Sequence, residues 1–216
     1  IDTVSKKNSH ENILNKFKNE NIDILIGTQM IVKGHHFPNV TLVGVIAADG
    51  TLNIGDYRAE ERTFQTITQV AGRAGRENEK GNVVVQTYNP DNYAIVCSQK
   101  QDYEKFYDGE ILLRKRLNYP PFCDIILIRI HGENLEKVKK AASKIYDDLL
   151  EQKNENLSIY KPVPSPVDRI QNVYRWRIVI KGRLNKKALV TINNVINKFY
   201  LCKNKDINLI VDTNPN

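Results

Sequence analysis

Ile24-Leu25-Ile26-Gly27-Thr28-Gln29-Met30-Ile31-Val32-Lys33-Gly34-His35-His36-Phe37-Pro38 is an apolar run that breaks into a polar, glycine-punctuated turn. The pattern predicts a buried strand delivering a loop, and in α/β proteins strand-end loops carry the groups that contact ligands. This loop offers the Thr28 hydroxyl, the Gln29 amide and the Lys33 ammonium. A second strand is expected from Thr41 to Ala48, ending at Asp49-Gly50, and a third from Val83 to Thr87. Phe64, Ile67 and Val70 at helical spacing predict a helix between Tyr57 and Ala71, with Arg58, Glu60, Glu61 and Arg62 on its first turns. Ser9 to Asn19 reads as a short amphipathic helix, capped by Ser9, with Ile13, Leu14 and Phe17 on one face. Strands that read as buried runs rather than alternations, interspersed with helices, predict part of a mostly parallel α/β sheet with flanking helices.

The helix runs into Gln69-Val70-Ala71-Gly72-Arg73-Ala74-Gly75-Arg76, where two arginines three positions apart each follow a glycine. Arginine is permanently charged and forked, which suits the negative charge that develops in phosphoryl transfer. The glycines let the backbone approach a ligand closely. Glycine-flanked arginines also simply end helices, and the octapeptide alone leaves both readings open.

Taken together, residues 24–50 and Asp56-Tyr57-Arg58-Ala59-Glu60-Glu61-Arg62-Thr63-Phe64-Gln65 through Arg76 resemble the last two motifs of superfamily 2 helicases, in the version found in the PriA family of primosomal proteins. The specific pieces are Lys33-Gly34-His35-His36-Phe37-Pro38 and the Arg58-to-Gln65 helix, since shorter glycine–arginine motifs occur across many helicases. Leu117-Asn118-Tyr119-Pro120-Pro121-Phe122, Pro162-Val163-Pro164-Ser165-Pro166 and Tyr174-Arg175-Trp176-Arg177 resemble the C-terminal domain of the same family. The resemblance covers nearly the whole chain.

It implies the C-terminal part of a RecA-like second helicase lobe over residues 1–112 and the family's C-terminal domain over 113–216. It makes Arg76 an arginine finger, Arg73 a second phosphate contact and Gln69 a link between nucleotide and moving lobe. Gly72, Gly75 and Asp49 would lie at the nucleotide, and Thr28, Gln29 and Lys33 would meet the DNA backbone without reading sequence. ATP and Mg2+ are the implied cofactors of the full-length protein. The implied partners are branched and single-stranded DNA, the acidic tail of single-stranded DNA-binding protein, and other primosome proteins. The family's cysteine-rich zinc insertion would precede residue 1, so the chain is expected to be a piece of a longer protein and to hold no metal. The sequence contains no G-x-x-x-x-G-K-[ST] loop, so the piece alone is expected not to hydrolyse ATP.

After Asn89-Pro90 a polar, aromatic-containing helical stretch runs toward Arg116, broken at Gly109 and ended by Pro120-Pro121; the domain boundary is placed near its end. Beyond it the expected order is strand 124–131, helix 134–152, strand 157–161, strand 173–181, helix 186–200 and strand 206–212. That β-α-β-β-α-β order predicts a ferredoxin-like α+β sheet covered on one face by two helices. The proline-rich segment 162–166 is stiff and extended, fit for a loop or an edge. In the strand through Tyr174-Arg175-Trp176-Arg177, alternation puts the two aromatics on one face and the two arginines on the other. A lone tryptophan on a strand is more often core, with a base-stacking platform as the alternative reading of Trp176. Arg175, Arg177 and Arg183, with Lys181, are the expected DNA contacts.

Charge divides unevenly along the chain. Residues 1–112 hold 12 Lys and Arg against 15 Asp and Glu, net −3; residues 113–216 hold 20 against 10, net +10, which together give +7. A basic second half points to nucleic acid or an acidic protein tail, although Lys137, Lys139, Lys140 and Lys144 also read as the solvated face of a helix. Cys97, Cys123 and Cys202 lack metal or disulfide spacing and are expected to be reduced core thiols. The His35-His36 pair also lacks metal spacing. No stretch is long and apolar enough to span a bilayer and no export leader is visible, so a soluble, cytoplasmic protein is expected. The competing reading is a non-catalytic nucleic-acid or protein binding module, and the paired arginines discriminate between the two.

Overall fold

The computed structural model describes residues 9–20, 22–28, 40–52, 55–72, 75–76, 79–152, 157–202 and 206–215, and divides between Ile111 and Leu112 into two compact units.

In the first unit, α1 (Ser9–Asn19) buries Leu14. Strand β1 (Leu42–Val45) is followed by the short helix α2 (Asp49–Leu52) and by α3 (Ala59–Ala71). A two-residue hairpin pairs β2 (Gly75–Arg76) with β3 (Glu79–Lys80). Strand β4 (Asn82–Val85) then lies parallel to β1, with Leu42 opposite Asn82 and Val45 opposite Val85. Helices α4 (Tyr93–Gln99) and α5 (Tyr103–Arg116) close the unit. The apolar stripe of α3 explains its position. Ile67 packs with Ala48 and Ile95 against Val45, Leu52 and Val85. One turn earlier, Phe64 stacks on Phe106 at 4.3 Å between ring centroids.

Three expectations fail here. Residues 22–28 form no strand, and Ile24 and Ile26 are 75% and 87% exposed. An apolar run becomes a strand only where a hydrogen-bonding edge receives it, and neither β1 nor β4 takes it as a ladder partner. Secondly, β1 and β4 alternate exposed with half-buried residues instead of reading as buried runs, because α3 and α4 supply the cover on one face. Thirdly, the helical stretch after Pro90 breaks at 100–102 and not at Gly109, which sits inside α5. Gln101 has φ 53, and the Asp102 carboxylate accepts from the Lys105 N–H at 3.0 Å, the arrangement of a helix N-cap.

In the second unit the chain forms β5 (Asp124–Gly132), α6 (Leu135–Glu151), β6 (Leu157–Ile159), β7 (Val163–Ile170), β8 (Val173–Gly182), α7 (Lys186–Leu201) and β9 (Ile207–Thr213). The order across the sheet is β6-β8-β5-β9, all antiparallel, which is the ferredoxin-like plait. The proline-rich segment becomes an added edge strand: β7 pairs with β8 through Val163–Arg177 and Ile170–Val173, with a register shift between Pro164 and Arg169. Prolines fit there because an edge strand leaves one row of donors unused.

Ile126, Ile128 and Ile130 of β5 and Ile178 and Ile180 of β8 are buried against Val138, Ile145 and Leu149 of α6 and Ile192, Val195 and Phe199 of α7. Each such side chain contributes about 1.5–3 kcal/mol by leaving water. Tyr174 and Trp176 pack at the margin of this core, which decides between the two readings of Trp176. Cys97 and Cys123 are buried thiols, but Cys202 is exposed, a correction to its expected core place; it follows the last residue of α7, where the helix leaves the core. Lys137 and Lys139 pair with exposed Asp206 and Glu136, so this face of α6 is the solvated one.

Candidate functional site

The first unit carries the glycine- and arginine-rich motif at the end of α3. Gln69 is exposed on the last turn, and the Gly72 N–H donates to the Thr68 carbonyl at 3.1 Å as the helix closes. Gly75 and Arg76 follow in β2, their backbones paired with Lys80 and Glu79; the Arg76 side chain, and Arg73 entirely, lie outside the described residues. So do Gln29 and Lys33. Thr28 is exposed at the end of the extended segment. What anchors α3 beneath this motif is polar as well as apolar. The Thr63 hydroxyl donates to the Ala59 carbonyl and meets the Thr51 hydroxyl at 2.7 Å, and Arg62 pairs with Asp56 at 2.9 Å.

Asp49 has a structural task. Its carboxylate accepts from the Thr87 hydroxyl at 2.8 Å and the Tyr88 N–H at 2.9 Å, tying the end of β1 to the end of β4. The Tyr88 N–H, and after it the Thr87 hydroxyl, hold its carboxyl below the ordinary range.

The second unit gathers cations on the sheet face that α6 and α7 leave uncovered. Alternation in β8 places Arg175 and Arg177 opposite in direction to Ile178 and Ile180. Register adds two residues that sequence reasoning missed: Arg177 lies directly across from Arg129, and Arg175 from His131. All four are half-buried. Desolvation, reinforced by the Arg175 and Arg129 charges, lowers the pKa of His131. Lys181 is engaged elsewhere, its ammonium 3.5 Å from the centroid of the Tyr119 ring and 3.4 Å from the Leu117 carbonyl. Arg183 is exposed beyond the last residue of β8. Among the described residues no group of His, Cys, Asp and Glu is arranged to hold a metal ion, and no helix is long and apolar enough to cross a membrane.

Residues 1–78 match the family model described as the helicase conserved C-terminal domain, so β1, α3 and the arginine motif that follows it belong to a helicase lobe. Residues 115–216 match the primosomal protein N C-terminal domain, and the chain as a whole belongs to the PriA family, as a C-terminal part. It is 40% identical over 216 residues to the replication restart protein PriA of Bacillus subtilis, covering all of this chain and 27% of that one. It is 41% identical over 197 residues to the protein of the same name from Synechocystis, covering 90% of this chain and 23% of the relative. With the Rickettsia felis protein of that name it shares 42% identity over 168 residues, 78% of this chain and 26% of the relative. The chain thus spans about a quarter of the length of these relatives.

Proposed function

We propose that the chain is the C-terminal part of an ATP-dependent DNA helicase that reloads the replication machinery at stalled or branched forks. The observation that carries this is the helicase-model match over residues 1–78, which takes in the whole of Gln69 to Arg76. In this reading Arg76 and Arg73 neutralise phosphate charge as it develops, and Gln69, with Gly72 and Gly75 beside it, relays closure of the nucleotide site. Thr28, Gln29 and Lys33 touch the DNA backbone, while Arg175, Arg177 and Arg183 hold DNA on the second unit. ATP and Mg2+ are bound mainly by the phosphate-binding lobe, which these residues do not include, and zinc belongs to the family's upstream insertion. Branched and single-stranded DNA, the tail of single-stranded DNA-binding protein and other primosome proteins are the partners.

The test is reconstitution. The 216-residue chain alone should turn over no ATP, and the complete protein should hydrolyse it faster when forked DNA is added. In the complete protein Lys33→Ala should reduce the DNA-stimulated rate and spare the basal one, because an ammonium on that loop meets a backbone phosphate and not the nucleotide. ATP turnover by the chain alone, or equal loss of both rates in the variant, counts against the reading.

A further inference from the structure

The face of the second sheet opposite α6 and α7 gathers positive charge in a geometry that calls for an anion. Arg129 and Arg177 are cross-strand neighbours, as are His131 and Arg175. The two arginines are like charges, which set directly across an antiparallel pair destabilise it unless something negative lies between them. Among the described residues the only carboxylate against this cluster is Asp212, whose Oδ2 is 2.7 Å from Arg129 Nη2. That approach is off the line of a hydrogen bond, for Asp212 Oδ2 remains without one. Nε of Arg175, Nε of Arg177 and Nε2 of His131 are likewise shut from solvent and without a hydrogen-bond partner. Buried nitrogens of this kind are costly to leave unmatched.

We propose that this face is a seat for two successive backbone phosphates of a single nucleic-acid strand, one held by Arg129 and Arg177 and the next by Arg175 and His131, with Asp212 as an internal counter-ion that the first phosphate displaces. The proposal rests on the nucleic-acid reading of the second unit given above, and adds Arg129, His131 and Asp212 to it. The two tiers are separated by two residues of strand, about 6.8 Å, which matches the step between neighbouring phosphates of an extended strand. The aromatics Tyr174 and Trp176 are on the opposite, helix-covered side, so the seat holds backbone and offers no platform for bases. An acidic peptide suits it less well. Arginine clusters do recognise acidic segments, but the carboxylates of such a segment sit on flexible side chains that lose rotamer freedom on binding. A nucleic-acid strand carries its charges on its own backbone at a fixed step.

Binding of fluorescent oligothymidylate to the full 216-residue chain, followed by anisotropy across a salt series, tests the seat, with polyglutamate as the competing probe. Arg129→Ala with Arg177→Ala should weaken oligothymidylate binding at least about tenfold and lower the slope of log affinity against log salt by about 0.7 for each phosphate no longer neutralised. Asp212→Asn should tighten it about two- to fivefold by releasing Arg129, a gain that misfolding cannot mimic. The NMR titration midpoint of His131 should rise when oligothymidylate is added, because a phosphate beside the ring favours its charged form. An unchanged salt slope in the double variant, an unmoved His131 midpoint or tighter binding of polyglutamate overturns the proposal. If the unsubstituted chain binds oligothymidylate and these variants bind it equally, the seat is wrong and the nucleic-acid reading stands; if it does not bind at all, both fall.

Discussion

Gly132 closes β5 where a side chain has no room: a Cβ there would come within 2.7 Å of Ile207 Cδ1, 2.9 Å of the Asp206 carbonyl and 3.0 Å of Val138 Cγ2. The isoleucine tip can turn aside, but the backbone carbonyl cannot. Gly132→Ala should therefore destabilise the second unit by about 1–3 kcal/mol, read as a lower midpoint in denaturant; an unchanged midpoint would show that β9 yields freely. In the first unit, Glu60 is held above the ordinary carboxylate range by burial and, against the Asn92 hydrogen bond, by the charge of Glu110, itself buried and bonded to the Tyr93 hydroxyl. A folded-state pKa raised above the unfolded one gives stability that is complete below the unfolded value and is lost as pH rises through the folded one. Stability of the first unit should thus fall as pH climbs out of the carboxylate range, and Glu60→Gln should remove part of that fall in melts at several pH values. Parallel curves for the two proteins would contradict this. The sequence displays Arg175 and Arg177 because alternation within one strand suffices to orient them. It hides Arg129, His131 and Asp212, whose meeting depends on the register of β5 against β8 and β9, a relation no local pattern carries.

At the scale of elements, α6 and α7 begin in the same way. Asn134 accepts from the Lys137 N–H at 3.0 Å and Asn185 from the Ala188 N–H at 2.8 Å, each satisfying a donor that the first turn leaves unpaired. Asn134→Ala and Asn185→Ala should each cost about 0.5–2 kcal/mol, measurable by chemical denaturation, and a variant as stable as the parent would show that its cap is dispensable. The helices themselves are legible from apolar spacing, and strands β5, β8 and β9 from apolar runs bounded by turns. Sequence and structure part where an element's form depends on a partner outside its own segment. Residues 22–28 find no ladder, and residues 163–170 find one along β8 despite their prolines. Gly109 misleads for a related reason: glycine weakens a helix, yet here α5 continues through it, with the Tyr93 ring so placed that a Cβ at Gly109 would meet Cδ2 at 3.7 Å.

For the molecule as a whole, the division at Ile111/Leu112 leaves the second unit with a complete core of its own. Residues 112–216 produced alone should therefore unfold in a single cooperative transition, observed by circular dichroism; a broad, non-cooperative melt would show that the first unit is needed for folding. The uneven charge of the two halves is visible in composition, and under the proposed function it coincides with a division in which the first half holds the nucleotide arginines, beside the Thr28, Gln29 and Lys33 DNA contacts, and the second half adds only DNA contacts. That division depends above all on the two glycine-flanked arginines that follow α3. The most direct measurement is steady-state ATP turnover of the complete protein with saturating forked DNA, comparing the parent with Arg73→Ala and Arg76→Ala. If these arginines meet the nucleotide, turnover should fall by about a thousandfold or more, the scale of an arginine finger, in proteins that keep their fold, and near-normal turnover in both variants would contradict it.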